Sequence, residues 1–133
     1  MSFNYKMNKF LRVMLIIVMI LMVSAAFLQI FFPQFMGSHS EYGVAVGWQR
    51  EIAFWNLAII PFIVAVFLRY DWYYLQVLLL SLSLGGFYFG TNHLLGYLSD
   101  STKIISLVGA LENYGLVLCW FIGWRIEKRS IKI

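Results

Sequence analysis

A single cysteine, Cys119, excludes an internal disulfide and any cysteine-built metal cluster, and its place inside a long apolar stretch marks it as a packing residue. Histidine is nearly as scarce, with only His39 and His93. No HExxH motif, glycine-rich phosphate loop or CxxC pair occurs, which sets aside zincin, nucleotide-loop and dithiol chemistries. Charge is the most telling shortage. Only 12% of residues are charged against 62% hydrophobic, and the mean hydropathy is +0.79, too little polar surface to coat a water-soluble globule. The longest polar connection runs from Pro33 to Gly43, which leaves no room for a separate soluble domain. There is no internal repeat and no two-halves symmetry of the kind larger transporters carry.

What fills the chain is four apolar stretches, Phe10 to Phe32, Val44 to Leu68, Trp72 to Leu98 and Ile104 to Ile126. Each reaches the roughly 20 residues that a helix needs to cross a bilayer core. The expected fold is an all-α, integral membrane four-helix bundle over residues 1–133, with the lipid bilayer as its main partner. Lys6, Lys9, Arg12, Arg69, Arg125, Lys128, Arg129 and Lys132 fall on one side of these spans, and only Arg50 and Lys103 on the other. The positive-inside rule then places both termini and the Arg69-Tyr70-Asp71 turn in the cytoplasm, as a multi-pass protein of a bacterial inner membrane. The same sorting explains the net charge of +4 without nucleic acid. The basic start followed by Val23-Ser24-Ala25-Ala26 has the look of a cleavable signal, but the apolar run continues to Phe32, so the first span is expected to be retained.

Pro33, Gly37 and Ser38 are expected to open an outer loop through Gly43. Pro61 should kink the second span. The tight Arg69 to Asp71 turn should make the second and third spans antiparallel neighbours. Trp72, Tyr73 and Tyr74, with Trp120 and Trp124, read as interfacial anchors. Gly86 and Gly90 have small-x-x-x-small spacing, read first as packing within the bundle and second as a homodimer seam.

Ionisable residues inside a membrane are costly and each needs an explanation. Counting about 1.5 Å per residue, Glu112 lies roughly 12 Å below the outer boundary, Arg50 and Glu51 about 9 to 11 Å, and His93 about 7 to 8 Å. Asn56, Asn92 and Asn113 fall near the same layer, and Trp48 and Trp55 flank Glu51 at helical spacings. Two readings follow. Arg50 pairs with Glu112 or Glu51 in a purely structural network, or the layer is a pocket. In the second case one arginine against two carboxylates leaves an excess negative charge, to be met by a proton on His93 or a glutamate, or by a ligand. A metal held by His93, Glu51 and Glu112 is set aside, since three different spans would supply the ligands with no within-helix spacing to support it. Ser81, Ser83 and Ser106 read as helix–helix hydrogen-bonding residues rather than nucleophiles.

The segment Arg50-Glu51-Ile52-Ala53-Phe54-Trp55-Asn56-Leu57-Ala58, with Gly90-Thr91-Asn92-His93 in the third span, resembles small four-span bacterial membrane proteins of a DoxX-like kind. In those proteins an acidic residue followed five positions later by Asn recurs in the second span, and a Gly/His pair in the third. The resemblance implies a four-helix fold and carries over no substrate. The expected function is binding or transport of a small ligand or proton in a polar pocket in the outer half of the bundle. An accessory subunit of a membrane complex is the second reading, and a membrane redox or lipid-modifying enzyme the third. No pattern names a cofactor.

Overall fold

The computed structural model describes residues 7–131, and among them there are five helices and no strand. They are α1 (Lys9–Phe31), α2 (Pro33–Ser38), α3 (Val46–Leu68), α4 (Trp72–Ser99) and α5 (Ile104–Ser130). The four long helices are each long and apolar enough to span a membrane. Large apolar side chains cover their outward surface, including Ile20, Phe27, Leu80, Leu111 and Leu118, as a lipid-facing surface requires.

Local chemistry sets the ends. Asn8 caps α1, its Oδ1 accepting from the Leu11 N–H at 2.9 Å, and Asp71 caps α4, its Oδ1 accepting from the Tyr74 N–H at 2.8 Å. At the far end of α1, Phe32 leaves helical geometry and Pro33 starts α2 at a position where its missing N–H costs nothing. The loop expected from Pro33 therefore begins with six helical residues. Pro61 sits inside α3, which continues through it to Leu68. Lys128 and Arg129 occupy the last turn of α5, where they complement the helix dipole.

The bundle has two different ends. At the end carrying the termini, Leu11, Leu15, Val18, Ile63, Val66, Leu75, Leu78, Leu79 and Trp120 form one buried apolar cluster. Trp120 is 2% exposed, so it is a core residue rather than the interfacial anchor expected of it. Trp124, half-buried, has the Lys128 Nζ 5.0 Å above its ring. Asn8 and the fully buried Glu127 tie α1 to α5: the carboxylate accepts from the Asn8 N–H at 2.8 Å and from its Nδ2 at 2.6 Å.

Helix α4 packs along α5 and α1 along α3, with α1 also against α5. The α4–α5 approach depends on glycine. A Cβ on Gly86 would stand 2.9 Å from Val117 Cγ2, and one on Gly90 3.1 Å from the Tyr114 ring. Gly86 and Gly90 thus face a neighbour inside the bundle. By contrast α3 and α4, although joined by the shortest turn, touch only lightly. The chain runs antiparallel there as expected, but the two helices diverge and leave space between them.

The opposite end is closed by residues 39–45. The His39 carbonyl accepts from the Ile105 N–H at 3.0 Å, and Lys103 Nζ donates to the Ser38 carbonyl at 2.9 Å. Gln49, 1% exposed, donates from Nε2 to the Pro33 and Gly43 carbonyls at 2.8 and 3.3 Å. Gly43 has φ +62°, a conformation that favours glycine.

Candidate functional site

The space between α3 and α4 belongs to a cavity of about 790 Å³ lined by all four long helices, the size of an ordinary small-molecule site. Phe62, Tyr74 and Trp120 border it toward the termini end, and aliphatic residues such as Met22, Ile59, Leu82 and Leu116 make most of its wall. Polar groups gather in the half nearer the loop: Gln29, Tyr42, Asn56, His93, Glu112 and Asn113. An apolar chamber with a few convergent polar groups at one end is the result.

Helix periodicity explains how α5 contributes. Gly109, Glu112 and Asn113, spaced three and four apart, lie on one face. Gly109 lets the His93 ring rest against the α5 backbone, since a Cβ there would stand 2.7 to 2.9 Å from ring atoms. Asn113 Nδ2 donates to the Gly109 carbonyl of its own helix at 2.8 Å. Glu112 is half-buried on the cavity wall and receives no hydrogen bond from any described residue, although His93 acts on it electrostatically. Gln29 borders the same cavity at 6% exposure, and its Oε1 is buried with no hydrogen-bond partner. Two acceptors at one end of an apolar chamber thus lack donors.

His93 is held by a residue of the loop. Its Nδ1 lies 2.7 Å from Glu41 Oε1, and its ring meets the edge of Tyr42 at a centroid separation of 5.7 Å. Glu41 also accepts from Asn92 Nδ2 at 3.0 Å and from the Ser106 hydroxyl, while its own N–H donates to Ser106 Oγ at 3.1 Å. Burial alone would raise the Glu41 carboxyl. The close approach of the His93 imidazole, with the hydrogen bonds from Ser106 and its own backbone, outweighs burial and holds it below the ordinary glutamate range. Burial pushes the Tyr42 hydroxyl up, and the neighbouring Glu41 charge adds to this.

The residues expected in one polar layer therefore divide. His93, Glu112, Asn56 and Asn113 meet at the cavity. Arg50, Glu51 and Trp55 are exposed on the outward face of α3 and do not line it. Trp48 and Asn92 line a second, smaller cleft beside it. The reason is azimuth: Gln49, Ala53 and Asn56 share the inward stripe of α3, so their neighbours Arg50, Glu51 and Trp55 turn outward. The expected pairing of Arg50 with Glu112 or Glu51 is replaced by His93 with Glu41; the other ion pair among the described residues joins Lys103 to Asp100 across 4.0 Å. Nor do His93, Glu51 and Glu112 converge as a metal triad, and no group of three metal-ligating side chains forms among the described residues. The acids still outnumber the basic groups, with different members: the carboxyl groups of Glu41 and Glu112 stand beside one imidazole. Glu41 and Gln29 escaped the reading of the sequence because one lies in a loop and the other carries no charge.

Comparison with protein-family models, with curated proteins and with solved structures returns no match for this chain.

Proposed function

We propose that this chain is a ligand-binding, transport-related membrane protein whose cavity takes an elongated amphipathic molecule. The observation that carries the reading is Glu112, an acid within an apolar helix long enough to span a membrane, which faces a largely apolar cavity and has no hydrogen-bonding partner among the described residues. The apolar wall suits a hydrocarbon body, and the polar cluster suits one head group. With eight of ten Lys and Arg residues on the side of the termini and the Arg69 turn, the termini lie in the cytoplasm of a bacterial cell and the polar cluster belongs to the outer leaflet. The DoxX-like kinship is part of this proposal, and Ile52, Asn56 and His93 from the two resembling segments line the cavity.

Gly85 supplies the test. It lines the cavity, and a Cβ built on it meets nothing within 4 Å. Gly85→Phe should fill the chamber without disturbing the fold. Mass spectrometry of small molecules extracted from the purified protein should find a compound with the parent that is lost with this variant. Equal recovery from both would reject the cavity as the binding site.

The outward Arg50, Glu51, Trp48 and Trp55 support a second reading, an accessory subunit that docks a membrane partner through α3. That reading requires a protein of fixed identity to co-purify with the parent and to be lost with Trp55→Ala.

A further inference from the structure

Beside the main cavity a cleft of about 590 Å³ is lined by Tyr42, Trp48, Ile52, Tyr88, Phe89 and Asn92. Four of these six are aromatic. Tyr42, Ile52 and Phe89 border the main cavity as well, so the cleft adjoins it at the place where α3 and α4 diverge. Trp48 and Tyr88 are 68% and 65% exposed, hence open to the bilayer rather than buried in the bundle. The cation–ring contacts among the described residues are Arg125 over Phe121 and Lys128 over Trp124, both at the termini end. Among the described residues no cation stands over the four rings of the cleft. Glu41 adds negative charge at its edge through Asn92.

Resting on the cavity reading above, we propose that the ligand is a lipophilic cation, an ammonium on a long apolar chain, which passes from the bilayer through the aromatic cleft and sets its charge against Glu112. Aromatic faces attract ammonium groups, most strongly where water is excluded. Past the rings, the cavity offers the carboxyl group of Glu112, which has no hydrogen-bond partner among the described residues. An anion would meet repulsion from Glu41 and Glu112. A neutral alcohol would leave the two carboxylates without any new counter-charge, whereas an ammonium supplies one. Primary amines and quaternary ammoniums share this chemistry and differ in that only the amine donates hydrogen bonds.

The test uses the full chain in lipid nanodiscs and equilibrium dialysis of radiolabelled hexadecyltrimethylammonium, hexadecylamine and hexadecanol, with partition into empty nanodiscs subtracted. Both cations should bind saturably and at least tenfold more tightly than the alcohol. Glu112→Gln should remove that tenfold preference and leave alcohol binding unchanged. Trp48→Ala, at an exposed position remote from the core, should weaken the quaternary ion more than the amine. Equal binding of alcohol and cations, or full cation affinity in Glu112→Gln, would overturn the cationic ligand and leave the cavity reading standing. An absence of saturable binding for all three compounds would defeat both.

Discussion

The imidazole Nδ1 of His93 lies 2.7 Å from Oε1 of Glu41, joining α4 to the loop that covers one end of the bundle. The same carboxylate accepts from Ser106 on α5. One loop acid thus connects the two helices whose glycines already bring them together.

This clasp should depend on pH. The folded-state pKa of Glu41 is depressed, so its contribution to stability is fully present above the unfolded value of about 4.3 and is lost as pH falls through the lower folded value. Thermal melting in mild detergent should show the parent losing more stability between pH 5 and pH 3 than Glu41→Gln does. Parallel profiles would show that the pair does not contribute.

Gly90→Leu and Gly85→Phe should behave oppositely although the second adds more atoms. At position 90 the new side chain meets Tyr114 and Asn113, and overpacking of that kind costs about 1–3 kcal/mol. At position 85 it enters open space. Detergent melting curves should separate Gly90→Leu from the parent and leave Gly85→Phe close to it.

Asn8 should matter more than a surface cap. Its loss removes the α1 cap and a side-chain donor to the buried Glu127, whose other oxygen has no hydrogen-bond partner among the described residues. Hydrogen bonds to charged groups contribute about 1.5–3 kcal/mol, so Asn8→Ala should destabilise by about 2 kcal/mol or more. Asn8→Asp, which keeps a good cap but sets a second carboxylate against Glu127, should be worse still. Denaturation of the three proteins checks the order.

Topology can be read with reporters. Fusions after Ile133 and within the exposed turn at Ser101 should give opposite compartment signals, the first cytoplasmic. Opposite signals of inverted sense would reverse the assignment of the polar cluster to the outer leaflet, and matching signals would show that α5 does not cross the membrane.

The spans were legible because a bilayer imposes a length on apolar sequence. Phe10 to Phe32 corresponds to Lys9–Phe31, and Trp72 to Leu98 to Trp72–Ser99. The fourth span ends at Ile126 by composition while α5 runs to Ser130, because helical geometry outlasts apolarity and Lys128 and Arg129 favour a helix C-terminus. Counting rise per residue grouped His93, Glu112, Asn56 and Asn113, and these four line one cavity. Azimuth was not legible. Apolar side chains surround α3 on all sides, so no periodic contrast distinguished Gln49 and Asn56 from Arg50 and Trp55. Glu41 was hidden for another reason: a loop residue has no helical register, and only the folded chain brings it to His93.

The central claim is that the cavity is occupied by the hydrocarbon body of an amphiphile, and photolabelling tests it most directly. A hexadecyl ammonium carrying a diazirine along its chain, irradiated with the protein in nanodiscs, should label Met22, Leu82 and Leu116 on the cavity wall, and excess unlabelled hexadecylamine should suppress that labelling. Labels confined to lipid-facing Ile20, Leu80 and Leu118, and unaffected by competitor, would contradict it.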